Sequence, residues 1–139
     1  MTTTLVKVKE IKRLWHEIDA STISLGRLAA MASRLLVGKH KTSFTPHLDA
    51  GDFVVVVNVE KLKVTGRKML QKKYFHYSGY PGGLKTRTMG DVFQKTPDKV
   101  VWRAVRGMLA PNRLRTPRLK RLKLVKGASH NFKIDRKLA

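Results

Sequence analysis

Phe53-Val54-Val55-Val56-Val57 is an unbroken apolar run in which four of five side chains are β-branched. Such side chains are stiff at χ1 and suit the pleated strand. A strand with one solvated face alternates apolar and polar residues; this one is apolar on both. It therefore needs a layer above and a layer below, the situation of a central strand in a helix-covered and commonly parallel sheet.

Upstream lies Thr45-Pro46-His47-Leu48-Asp49-Ala50-Gly51-Asp52, a turn-rich loop. Before it, Leu25, Leu28, Ala29, Ala32, Leu35 and Leu36 recur at three- and four-residue spacing, which predicts an amphipathic helix. Ser21 or Ser24 is its candidate N-cap and Gly38 its stop. Gly26, in the first turn, is read as a close-packing position in preference to a phosphate site at the helix N-terminus. Leu14 to Asp19 reads as a first strand anchored by Trp15 and Ile18, and residues 1–12 as a polar lead-in. Gly38-Lys39-His40-Lys41-Thr42 invites a phosphate-loop reading. That pattern needs Gly where Ser33 stands and Ser or Thr where His40 stands, so it is rejected. Lys39 and Lys41 stay as candidate phosphate contacts.

Downstream, Leu62 and Val64 alternate with Lys61 and Lys63, and Thr65-Gly66 leads into a short basic helix near Arg67 to Gln71. Tyr80-Pro81-Gly82-Gly83 fits a type II turn, with Pro second and Gly third. Its flanks, 73–78 and 84–88, would be the arms of a protruding hairpin. Lys61 to Gly90 holds eight basic residues and no acid, interleaved with Tyr74, His76, Tyr77 and Tyr80. Cations meet phosphates and rings stack on unpaired bases. The competing reading is a solvated hairpin with one aromatic face packed inward. Met89 to Phe93 reads as one helical turn. Thr96-Pro97-Asp98 opens a better helix, with Val101, Ala104, Val105, Met108 and Leu109 as its buried stripe and Trp102 at the core margin. Pro111 to Lys126 carries seven basic residues and no acid. Gly127 to Ala139 has no clear periodicity and reads as an extended basic tail.

The 139 residues suit one domain, 1–139, large enough for a real core. No Cys is present, which removes disulfides, thiolate metal sites and thiol nucleophiles. Net charge is +21. Residues 1–60 carry eight basic and six acidic groups; residues 61–139 carry twenty-two and three. A compact chain so charged repels itself, so a polyanionic partner is expected. No apolar run approaches a membrane span, and no secretory signal is evident, so the expected setting is soluble and cytoplasmic.

Catalysis needs titratable groups brought together. His16, His40, His47, His76 and His130 show no spacing that puts two ligands on one helical face. His47 with Asp49 is the one tempting acid/base pair, on a loop where a local bond of His47 to backbone or phosphate is the commoner arrangement. These residues therefore offer no strong catalytic or metal-site signal.

Taken together, these stretches resemble the bacterial large-subunit ribosomal protein L13 family: Trp15 with Ile18-Asp19-Ala20; Leu25-Gly26-Arg27-Leu28-Ala29; Gly38-Lys39; Phe44-Thr45-Pro46-His47 with Gly51-Asp52; Val64-Thr65-Gly66; Ser78-Gly79-Tyr80-Pro81-Gly82-Gly83-Leu84-Lys85; and Ala104 to Leu109 with Asn112-Arg113-Leu114. The match runs from about Trp15 to Gly127. His130-Asn131-Phe132-Lys133 departs from the family pattern, so 127–139 is taken as particular to this chain. The resemblance implies a three-layer α/β/α domain with a small, mostly parallel central sheet, a protruding glycine-rich hairpin and a basic C-terminal extension. It implies partners in large-subunit ribosomal RNA and neighbouring ribosomal proteins, a part in early subunit assembly, and no catalysis, metal, cofactor or small-molecule substrate. It also implies that the helix N-terminus and the hairpin face RNA.

The expected function is therefore that of a ribosomal RNA-binding structural protein, on the ribosome of a bacterium or an organelle. The RNA-contact candidates are Lys39, Lys41, His47, Arg67, Lys68, Lys72, Lys73, Tyr74, His76, Tyr77, Tyr80, Lys85 and Arg87. Further along they are Arg106, Asn112, Arg113, Arg118, Lys120, Arg121, Lys123 and Lys126. The rivals are a nonspecific nucleic-acid-compacting protein and an enzyme acting through His47 and Asp49 on a phosphorylated substrate. Translational repression through messenger RNA is compatible with the main reading as a second role.

Overall fold

The structure, a computed structural model, describes residues 7–138. Residues 1–6 of the lead-in and residue 139 of the tail lie outside them. In chain order the elements are β1 (Trp15–Asp19), α1 (Leu25–Val37), β2 (Phe53–Val57), α2 (Lys68–Gln71), β3 (Lys73–Tyr77), β4 (Leu84–Thr88), α3 (Met89–Lys95), α4 (Pro97–Met108), α5 (Arg115–Lys120), β5 (Leu122–Leu124) and β6 (Arg136–Leu138). Short 3-10 turns occupy Val8–Glu10 and Val59–Lys61.

The fold is α/β and of the layered kind expected. Four strands form one sheet in the order β5-β2-β1-β6, with every pair parallel. The Phe53–Val57 run is an interior strand, and Val54, Val55 and Val56 are wholly buried. Parallel neighbours require crossovers, and α1 supplies the one between β1 and β2. Gly38 ends α1 in the left-handed conformation at φ 85°, where its N–H reaches the Arg34 and Leu35 carbonyls. Ser24 occupies the N-cap position without a side-chain bond.

Alternation along the strands separates two faces. Ile18, Val54, Val56 and Leu122 point into a core shared with Leu28 and Leu36 of α1 and Val101 and Val105 of α4. On the opposite face Trp15 stacks on its register partner Phe53, 4.2 Å between centroids. Phe132 stacks on Trp15 at 5.3 Å, and His130 bonds Glu17 at 3.0 Å. The C-terminal stretch read as an extended tail is thus docked: Asp135 exchanges backbone and side-chain bonds with Trp15, and 136–138 add an edge strand beside β1.

The structure corrects other readings. The strongly basic back of the chain also contributes Met89, Val92, Val100, Val101, Val105 and Leu109 to the core. Met108 is 48% exposed, and Val100 takes its place on the buried stripe of α4. The region read as one helical turn at Met89 extends to Lys95, held by a reciprocal capping box between Thr88 and Asp91. A Cβ on Gly26 would meet nothing within 4 Å, so Gly26 is not a close-packing position. Within the basic run 113–126, the segment 122–124 is a strand on β2.

Candidate nucleic-acid interface

The hairpin is built as its sequence demands. β3 and β4 pair antiparallel from Lys73 opposite Thr88 to Tyr77 opposite Leu84. The Gly83 N–H donates to the Tyr80 carbonyl at 3.0 Å, and Gly82 has φ 73°, the requirement of a type II turn at that place. A Cβ on Gly83 would lie 1.9 Å from the Ser78 hydroxyl, which would have to rotate away, and 3.0 Å from the Tyr80 carbonyl oxygen.

Period-two geometry gives the hairpin unlike faces. Tyr74, His76, Lys85 and Arg87 share one; Lys73, Phe75, Tyr77 and Leu84 share the other. Tyr74 is half-buried at the edge of the core. Phe75, Tyr77, Tyr80 and Leu84 are all more than half exposed, so the competing idea of an inward-packed aromatic face holds for Tyr74 alone.

The first face looks across a groove of about 500 Å³ toward α3 and α4. Lys95, Lys99 and Arg103 line the far wall, with Asp91 as the lone carboxylate. Arg103 lies 4.4 Å over the Tyr74 ring and Lys72 lies 5.8 Å from it. That ring is already engaged by cations. Burial pushes the Tyr74 phenol up, against the opposing pull of Arg103, so it stays a neutral O–H donor at ordinary pH. Five cations, Lys85, Arg87, Lys95, Lys99 and Arg103, line this groove from two walls and give it a positive surface.

Three predicted contacts lie elsewhere. Arg121 is buried: it grips the Asp49 carboxylate with both terminal nitrogens and donates to the Leu36 and Asp52 carbonyls. Arg118, also buried, sits 3.6 Å from Asp49. Lys41 donates to Asp52, to the Ala50 carbonyl and to the Lys12 carbonyl. These cations hold the 49–52 loop and cannot also hold RNA. Asp49, tied in this way, is unavailable as a base for His47.

Asp52 is wholly buried and is the hub of the second cluster. It accepts from Lys41, from the Leu14 N–H and from Nε2 of both His16 and His40. Burial pushes its carboxyl up, but the bonds from Lys41, Leu14 and His16 outweigh that and leave it below its ordinary value. His16, His40 and Asp52 bring three ligand atoms within 4.8 Å of one another, the arrangement a metal ion would use. The Lys41 ammonium already occupies the cation's place on the carboxylate, so the cluster reads as structural.

Lys39, His47, Arg67, Lys68, Lys72, Lys73, Arg106, Asn112, Arg113, Lys120 and Lys126 are exposed, and Lys123 is half-buried on β5. Among the described residues, only Lys41, Arg118, Arg121 and Lys137 of the thirty Lys and Arg enter an ion pair. Sequence reasoning missed Lys95, Lys99 and Arg103 as site residues. For Lys99 and Arg103, both on α4, the four-residue spacing that marks one helical face was the available signal; Lys95 ends α3 and carried none.

The family model described as Ribosomal protein L13 matches residues 13–131. "Large ribosomal subunit protein uL13" of Chromobacterium violaceum is 50% identical over 130 residues, covering 94% of this chain and 92% of the relative. The protein of that name from Syntrophus aciditrophicus is 49% identical over 130 residues, covering 94% and 92%. The one from Thermotoga maritima is 47% identical over 128 residues, covering 92% and 86%.

Proposed function

The chain belongs to the ribosomal protein L13 family and so is a structural constituent of the large ribosomal subunit; on that premise we propose that it binds large-subunit ribosomal RNA through the hairpin groove and supports early assembly of the subunit. The observation that carries this reading is the allocation of charge. Asp52, Asp49 and Glu17 are spent on Lys41, Arg118, Arg121 and Lys137, and Asp91 and Asp135 on backbone N–H groups, while no Lys or Arg of the hairpin or α4 enters an ion pair among the described residues. A folded RNA supplies phosphates at the density such a surface needs, and their counterions are released on binding. Neutralising phosphates early lets RNA helices approach one another, which is what assembly requires. Neighbouring ribosomal proteins would then meet a particle already compacted, and no catalytic step enters.

Sedimentation of cell extract at moderate salt tests the association: the chain should travel with the large subunit. With purified protein and ribosomal RNA, neutralisation of about six phosphates makes affinity fall roughly a thousandfold between low and moderate salt. An affinity flat across that range overturns the reading. Competition separates it from nonspecific compaction, because duplex DNA at equal phosphate concentration should displace ribosomal RNA poorly.

A further inference from the structure

We infer that Trp102 is a stacking platform for an unpaired RNA base, an inference that rests on the RNA-binding reading above and extends the interface beyond the hairpin. Trp102 projects from α4 and is 38% exposed, whereas Trp15 is covered by Phe53 and Phe132. Open clefts of about 410 and 520 Å³ border it. Leu124 contributes apolar surface to the first and Leu119 to the second. The Arg106 guanidinium lies 5.4 Å over the indole ring, within cation–π range, so one cation already attends it.

Two features choose a base over an apolar protein segment. The rim is cationic: Lys99 and Arg103 border the first cleft, and Arg106, Arg115 and Lys120 the second. Arg115 is held in place by the Leu109 and Ala110 carbonyls, which makes it a fixed donor. The surface is also continuous with the hairpin groove, because Lys99 and Arg103 line both. A strand gripped by its phosphates in that groove reaches Trp102 along the exposed face of α4. Asp98, the lone carboxylate of the first cleft, repels a phosphate and accepts from the N–H edge of a base. Bases in a duplex are stacked within it, so the occupant is a loop, bulge or single strand.

The test compares wild type, Trp102→Ala and Trp102→Phe against a single-stranded oligoribonucleotide and a duplex of the same sequence, at one salt concentration. Single-strand affinity should fall at least about fivefold in Trp102→Ala and recover most of the loss in Trp102→Phe, with duplex affinity within about twofold throughout. Tryptophan emission of the wild type should be quenched by the single strand, and the quench should vanish in Trp102→Ala, where the remaining Trp15 is covered. Trp102 being exposed, both variants should melt as the wild type does. Unchanged single-strand affinity, an equal loss on both RNAs, or quenching by an acidic peptide and not by RNA would overturn the inference. Those outcomes leave the hairpin interface standing if wild-type binding still weakens with salt. A wild type that binds neither RNA overturns both.

Discussion

The Lys41 ammonium rests 2.5 Å from the Asp52 carboxylate, eleven residues along the chain, with Asp52 fully enclosed. Sequence alone would assign that lysine to RNA. Its place is inside, where it balances the one charge that β1, α1 and the 49–52 loop all surround. Removing one member of a buried pair leaves the other charge uncompensated. Lys41 keeps some solvent contact, so Lys41→Ala should cost about 3 kcal/mol, the low end for such pairs. Urea denaturation should show this as a lower midpoint at unchanged slope. The salt dependence of RNA binding should not move, which separates Lys41 from the hairpin lysines.

Acid should undo the same clusters. Burial pushes the Asp49 carboxyl up, but the bond from Arg121 outweighs it; Glu17 is held down against burial by His130 and Lys137. With Asp52, three carboxyls titrate below their ordinary values in the folded protein. On lowering pH the unfolded chain takes up protons first, at about pH 4, so folding loses their contribution from there downward. The melting temperature should hold steady above about pH 5 and fall steeply below about pH 4. Asp52→Asn, though less stable at neutral pH, should show a shallower acid limb.

What was legible in the sequence was local. Val54 to Val57, the Leu25 to Leu36 stripe and Pro81-Gly82 each declare their conformation within a few residues, and each forms as read. β5 and β6 were not legible. Each is three residues long, contains Lys or Arg, and exists because β2 or β1 offers an edge to pair with. Nor could sequence separate Arg121 from Lys120. Adjacent cations look alike until the fold turns one toward Asp49 and the other to solvent. Helical spacing alone puts Lys99 and Arg103 on one face, but Trp102 between them reads as the edge of a core.

Two glycines should respond oppositely to alanine. A Cβ on Gly51 would lie 1.7 Å from the Leu36 carbonyl oxygen, a backbone atom that cannot step aside while α1 stays in place. Gly51→Ala should displace the loop that carries Asp49 and Asp52 and cost several times what a surface change does, roughly 3 kcal/mol or more. Gly26 faces open space in the exposed first turn of α1. Gly26→Ala should stabilise by up to about 1 kcal/mol, since it removes the conformational freedom glycine brings to the unfolded chain. Thermal melts of the pair decide it; a neutral Gly51→Ala would mean the loop relaxes in a way its packing does not suggest.

Reversing charge at matched positions tells binding cations from structural ones. Lys72, Lys73 and Lys85 are exposed on the hairpin and its approach, with no acidic partner among the described residues. Changing all three to Glu should weaken RNA binding and flatten the log–log salt slope by just under one for each phosphate the variant no longer neutralises. The melt should be almost unchanged. Arg121→Glu instead places a second carboxylate against Asp49 in a site with little water, so the protein should fail to fold or melt far lower. Circular dichroism melts beside filter binding at three salt concentrations separate the outcomes. If the triple variant unfolds, the hairpin is part of the scaffold and its lysines are not free for RNA. If Arg121→Glu folds normally and loses only RNA affinity, the assignment of that arginine to the 49–52 loop is wrong.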